Sequence, residues 1–215
     1  MPPRQARARR GAGSARARGI YVEILVRSDL ETVWRLTQDP TQHARWDLRF
    51  SAILPLAQLH GGGYRFRYER ALGVHTIHGT GTSIGERSLP DGTSTSALRF
   101  DTDDAWSPLR AGRGYWRYVP TAEGVRFITG YDYEPGFGRL ADRVIRPLVR
   151  WMTAWSFDRL RIWAECGLPP ERWPAASVLA FWRGDRPRAS RCHTSPPERG
   201  VFTHAPGSLA TLEAP

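Results

Sequence analysis

The chain reads as an α+β protein: a curved antiparallel sheet of about seven strands wrapped on a long C-terminal helix, with two short helices after the first strand. Three observations predict this. Residues 137–166 contain 17 apolar side chains in 30 positions, with tryptophans at 151, 155 and 163. Within them Arg139, Arg143, Arg146 and Arg150 recur at i, i+4, i+7 and i+11, the spacing of one helical face. Upstream, residues 49–134 form a succession of β-prone segments separated by glycine and proline turns. So apolar a helix must lie across something broad. At 1.5 Å per residue it runs about 45 Å, and seven strands spaced 4.8 Å apart make a sheet roughly 34 Å wide.

Taken in order, Ile20, Val22, Ile24 and Val26 alternate with Tyr21, Glu23 and Arg27, a strand with one buried face. Ser28 offers an N-cap with Glu31 at capping-box spacing, and a helix over 29–38 stops before Pro40. A second helix covers 41–45, ending at Trp46. Strands follow at 50–59, 64–70, 74–84, 93–103, 112–119 and 125–134. Pro55 marks the first of these as an edge or bulged strand, Gly61-Gly62-Gly63 turns the chain, and Gly79-Thr80-Gly81 weakens or bulges the strand that holds it. Pro147 is expected to kink or restart the long helix.

The formal net charge is +10, but it is unevenly placed. Residues 1–19 carry six arginines and no acid, and read as a disordered arm. Residues 20–166 form the domain, nearly neutral, so no specific nucleic-acid partner is expected. Residues 167–215 hold eight of the 17 prolines and read as a disordered tail, whose Trp173, Phe181 and Trp182 offer surface for a protein partner. Every basic residue is arginine, which excludes Schiff-base lysine chemistry and a phosphate-loop lysine. The two cysteines, Cys166 and Cys192, are too few for a disulfide framework. His75 and His78 lie three apart in a strand and point to opposite faces, so no metal site is expected, and no cofactor. Asp101, Asp103 and Asp104 read as a solvated loop. No apolar run reaches 18 residues, so no membrane span is expected, and the chain is placed in the cytoplasm.

The segment YVEILVRSDLETVWRLTQDPTQHARWD at 21–47 carries Val33-Trp34, Asp39-Pro40 and Trp46, and the closing helix carries Trp151, Ala154-Trp155-Ser156-Phe157 and Arg159-Leu160. Together they resemble the SRPBCC (START-like, polyketide-cyclase-like) superfamily, in an uncharacterised bacterial subgroup. The resemblance covers about residues 20–166 and implies the helix-grip fold with a cavity between sheet and C-terminal helix. Some relatives of this kind continue into a DoxX-like membrane region; the polar, proline-rich continuation after Cys166 departs from that.

Charge parity assigns an inner face. Arg65, Arg67 and Glu69 point outward, leaving Tyr64, Phe66 and Tyr68 inward. The same rule turns Leu98, Phe100, Trp116, Tyr118, Phe127, Tyr131 and Tyr133 inward, facing Met152 and Trp155 of the helix. An aromatic inner face fits a packed core and a cavity equally; the resemblance implies the cavity. The expected partner is a small hydrophobic molecule, lipid, polyketide or isoprenoid in kind, oriented by tyrosine hydroxyls. Asp47 and Arg49 lie where this fold's cavity mouth often is. The alternatives are a cyclase or aromatase-type enzyme, with a tyrosine or His78 as proton donor, and a protein-interaction module.

Overall fold

In the computed structural model, which describes residues 19–59, 63–87, 89–196 and 200–215, the elements run in the expected order. Strand β1 (Ile20–Val26) leads to α1 (Leu30–Gln38) and α2 (Pro40–Trp46). Six strands follow: β2 (Ala52–Gln58), β3 (Tyr64–Leu72), β4 (His75–Glu86), β5 (Ser94–Asp101), β6 (Leu109–Thr121) and β7 (Gly124–Pro135). Helix α3 (Gly138–Cys166) closes the fold, and a short α4 (Ser208–Thr211) lies near the end. The expected arginine-rich arm, but for Gly19, and Gly61-Gly62 of the turn fall outside the described residues.

The seven strands form one antiparallel sheet in the order β1-β7-β6-β5-β4-β3-β2. Strand β2 is the edge, and its register slips between Pro55 and Ala57, as a proline without an N–H demands. The cap of α1 is Asp29 rather than Ser28, its carboxylate accepting from the Thr32 amide at 2.7 Å. Asp39 ends α1 and caps α2. Helix α3 continues unbroken through Pro147 and stops at Gly167, whose left-handed φ of 67° lets its amide reach the Trp163 carbonyl.

The buried side chains of α3 begin at Val149. Val149, Ala154, Phe157 and Leu160 join β1, β6 and β7 residues in one core. Leu140, Val144 and Leu148, one to three turns earlier, remain exposed.

The segment after Gly167 has described positions that differ from a disordered tail. Trp173 is fully buried. Asp158 of α3, also fully buried, accepts from the Arg188 amide at 2.7 Å and from Arg191 Nη1 at 2.8 Å. His193 pairs with Glu23 along the free edge of β1. Farther on, Leu209 and Leu212 bury against Ala97 on the outer face of the sheet. Proline density signals the lack of regular structure, not the lack of a packing surface. Phe181 and Trp182 are exposed.

Candidate functional site

Rows of register partners on the inner face explain why the sheet is hollowed. One row runs Tyr133, Gly112, Phe100, Gly81, Phe66, and the next Tyr131, Gly114, Leu98, Ser83, Tyr64. Large and small residues alternate across the strands. A Cβ at Gly81 would lie 2.3 Å from Phe66 Cζ, one at Gly112 2.2 Å from Phe100 Cζ, and one at Gly79 2.2 Å from Tyr68 Cζ. The rings therefore lie flat over glycine backbone rather than standing off the sheet. The register of β3 with β4 is continuous at Gly79 and Gly81, so these glycines make room for rings and mark no bulge.

Between this face and α3 is a cavity of about 430 Å³, within the range of small-molecule sites. Of the residues expected to line it, Tyr64, Phe66, Tyr68, Leu98, Phe100, Trp116, Tyr131 and Met152 do so. Four do not. Tyr118 and Phe127 share the right face but sit farther along their strands, where the helices fill the space. The Tyr118 hydroxyl bonds Thr37 at 2.7 Å and Gln38 at 2.8 Å, and Phe127 stacks on Phe157 with ring centroids 4.5 Å apart. Tyr133 is closed off by α3, its hydroxyl donating to Asp142 at 2.8 Å and its ring under Arg146. Trp155 is buried on the flank of α3 beside Arg159, which donates to the Pro170 carbonyl. Side-chain parity identifies a face; it does not say how far along a strand the cover extends.

The cavity wall also carries charged and polar groups. His43, Arg49 and Arg70 line it, and among the described residues no acid does. Asp47 lies just behind, fully buried. His43 Nε2 is 3.1 Å from Asp47 Oδ2, and Arg49 donates to the same carboxylate through Nε at 2.9 Å and Nη2 at 2.6 Å. The guanidinium sits over the Tyr131 ring at 5.2 Å. Tyr131, in turn, donates to Thr153 Oγ1 at 2.8 Å, because that hydroxyl spends its own proton on the Val149 carbonyl. Aromatic rings of Trp46, Phe50 and Trp116 surround His43 at 4.8–5.1 Å. The His43–Asp47 spacing of i, i+4 at the end of α2 is the sequence signal that could have found this pair. His78, the other candidate proton donor, is exposed beside Glu69 and lies outside the cavity.

The charge states follow from burial and partners. Burial works against ionising Asp47, but Arg49 and His43 hold its carboxyl well below the usual range. Burial also depresses the His43 imidazole, outweighing the pull of Asp47, so the ring is neutral near pH 7. An ionised carboxylate only accepts, so Nε2 carries the proton and Nδ1 the lone pair. With His43 neutral, the cavity faces its contents with two guanidinium groups and one buried counter-charge.

A depressed histidine takes up its proton on unfolding. The stability it contributes is present above the unfolded pKa, about 6.5. It is lost as pH falls from there toward the folded value, by up to about 1.4 kcal/mol per pH unit. Asp47 is depressed too, and its contribution is lost only below about pH 4. Melting temperature is therefore expected to fall between pH 7 and 5 in the parent and to stay flatter in His43→Phe. Parallel curves would show that His43 is hydrated rather than buried.

The architecture is that of the SRPBCC-type, helix-grip fold: a seven-stranded antiparallel sheet curved round a C-terminal helix, with a ligand-sized hollow between them. Solved structures share it. The STAR-related lipid transfer protein of Xanthomonas axonopodis aligns at 16% identity over 70% of this chain and 88% of that one, with a TM-score of 0.50. The di-domain ARO/CYC protein StfQ of the steffimycin biosynthetic pathway aligns at 12% identity over 70% and 52%, with a TM-score of 0.53. The Zhui aromatase/cyclase of a Streptomyces species aligns at 12% identity over 70% and 97%, with a TM-score of 0.50. No family model matches the chain. Among curated proteins, the uncharacterized membrane protein YndG of Bacillus subtilis (strain 168) is 39% identical over 170 residues, 76% of this chain. The chain spans 63% of that relative's length.

That relative corrects the cytoplasmic placement expected above, since its name is that of a membrane protein. Among the described residues no helix is long and apolar enough to cross a membrane. The expectation rested in part on the lack of such a segment, and a domain without a span can still work at a membrane.

Proposed function

We propose that the domain binds and carries a small, largely apolar molecule bearing one carboxylate or strongly accepting carbonyl. The observation that carries this reading is the cavity wall itself: flat aromatic rings along one side, and Arg49 and Arg70 lining it with no acid beside them among the described residues. Desolvation of the apolar body supplies affinity, and the charge-assisted hydrogen bond to a guanidinium sets orientation. Arg49 engages Asp47 through Nε and Nη2 and also reaches the Tyr131 hydroxyl, so a ligand oxygen would meet Arg49 and Tyr131 as one polar edge. The name of the Xanthomonas neighbour, a lipid transfer protein, supports a carrier role.

Native mass spectrometry of the purified protein, followed by denaturing extraction, tests this. The expected result is a co-purifying apolar acid or carbonyl compound. Gly81→Val supplies the control, because a side chain there drives the Phe66 ring up into the cavity. This variant should fold and emerge empty. An empty parent that also fails to take up the anionic apolar dye anilinonaphthalene sulfonate would sink the reading, as would a Gly81→Val protein with unchanged load.

One observation favours a second reading, an enzyme of the cyclase kind. His43 is a neutral imidazole oriented by a buried carboxylate at the cavity wall, an arrangement suited to taking a proton from a bound chain. The aromatase/cyclase name of the Streptomyces neighbour accords with it. The extracted molecule separates the two readings. A carrier yields the same compound from the parent and from His43→Phe; an enzyme yields substrate from the variant and product from the parent.

A further inference from the structure

The first half of α3 presents to solvent what a soluble helix ordinarily hides. Leu140, Val144, Leu148 and Trp151, at i, i+4, i+8 and i+11, form one stripe with exposures of 77%, 74%, 52% and 37%. Beside it run Arg139, Arg143 and Arg150, all exposed. The one acid in this half, Asp142, is taken up by Arg146 Nε at 2.7 Å and by the Tyr133 hydroxyl. Two other elements extend the apolar surface. Leu72 and Val74 project from the β3–β4 hairpin, Val74 wholly exposed, and Trp106 is 63% exposed beside His75 of that hairpin. A hydrogen bond from the Gly136 amide to the Pro108 carbonyl ties the Trp106 loop to the start of α3.

This patch is continuous with the cavity. Leu72, Phe137 and Leu148 are exposed and line the cavity at the same time, so they form its mouth. An apolar ligand leaving through that mouth into water would regain the hydration cost that its binding removed.

We propose that this face docks on an anionic lipid bilayer, with the Leu140–Val144–Leu148–Trp151 stripe in the headgroup boundary and Arg139, Arg143 and Arg150 on lipid phosphates. The mouth then opens onto the acyl region. An amphipathic helix with apolar and aromatic residues on one side and arginine beside them has the make-up of an interfacial helix, and tryptophan favours that depth. A second copy of the chain fits less well. A two-fold contact sets the same face against itself, and this half of α3 would bring arginine to arginine with no exposed acid to pair. Glu134 and Asp103 are exposed acids flanking the patch, which centres the contact on the helix stripe. The proposal deepens the carrier reading by giving the ligand its source.

Flotation of the full chain with phosphatidylcholine vesicles, with and without phosphatidylglycerol, tests it. The parent is expected to float with the anionic vesicles. Leu140→Asp combined with Val144→Asp should lower the partition by about thirtyfold or more. Arg139→Gln, Arg143→Gln and Arg150→Gln together should lower it by about fivefold per arginine, on anionic vesicles alone. All five side chains are exposed, so melting temperatures should match the parent. A parent that stays with the bulk solution overturns the proposal. So does a double-aspartate variant that floats like the parent, which would move the contact to another part of the chain. Light scattering that shows a parent dimer dissolved by the double-aspartate change would assign the face to a second copy instead. The measurement is made without added ligand, so its failure leaves the cavity reading standing.

Discussion

Trp46→Ala is expected to cost about 5 kcal/mol of folding stability, enough to bring a domain of ordinary stability close to unfolding. Trp46 is fully buried and packs against Trp116, Phe127 and Phe157 at centroid distances of 6.0–6.4 Å. Truncating it leaves a cavity where α2, α3 and the sheet meet. A second loss is specific to this sequence. The Leu36 carbonyl, in the last turn of α1, would ordinarily accept from residue 40, but residue 40 is proline and has no N–H. The Trp46 indole supplies the missing donor at 2.9 Å. Removing it adds about 1 kcal/mol to the cavity cost. Guanidinium unfolding monitored by far-UV circular dichroism reads the total, and Trp46→Phe isolates the part due to the indole N–H. A loss below about 2 kcal/mol for the alanine variant would mean that the three elements re-pack around the gap.

Asp47→Ala is expected to cost about 3–5 kcal/mol, the range for breaking a buried pair by removing one partner. It strands the Arg49 guanidinium, removes the acceptor of His43, and takes away the carboxylate that caps the Arg49 amide at 3.0 Å. Asp47→Asn keeps the volume and some acceptors and should cost less. The two variants also report on the cavity. If Arg49 can swing into hydrated space there, Asp47→Ala will cost about 1 kcal/mol, and the charge on the wall is then held by water rather than by Asp47. A thermal melt and a urea midpoint for both variants decide between these outcomes.

Much of this architecture was legible from residue order. Strand boundaries, the edge position of the Pro55 strand and the length of α3 follow from local rules, because a strand's faces and a helix's stripe depend on a few neighbouring residues. The resemblance at residues 21–47 pointed to the same fold. Other features were hidden for identifiable reasons. His43 reads as a surface residue of a seven-residue helix until Trp46, Phe50 and Trp116 are seen to enclose it. Arg70 continues the inward parity of Tyr64, Phe66 and Tyr68 yet looks like a solvated strand end. The order along 167–215 comes from scattered anchors, such as Trp173, Leu209 and the Arg191–Asp158 pair, that no periodicity announces.

The inner face and its aromatic character are local properties: alternate residues of one strand point the same way whatever surrounds them. Whether that face packs solid or encloses a space is not local. Phe66 lies flat because Gly81, fifteen residues on, has no Cβ to lift it; Phe100 does so over Gly112 in the next strand pair. Tyr118 and Phe127 are core because α1, α2 and α3 reach that far along the strands, and Tyr131 faces the cavity because they reach no farther. The aromatic content is written in single strands. The hollow arises between strands and helices distant in sequence, where the backbone pairing decides which ring meets a glycine and which meets another ring.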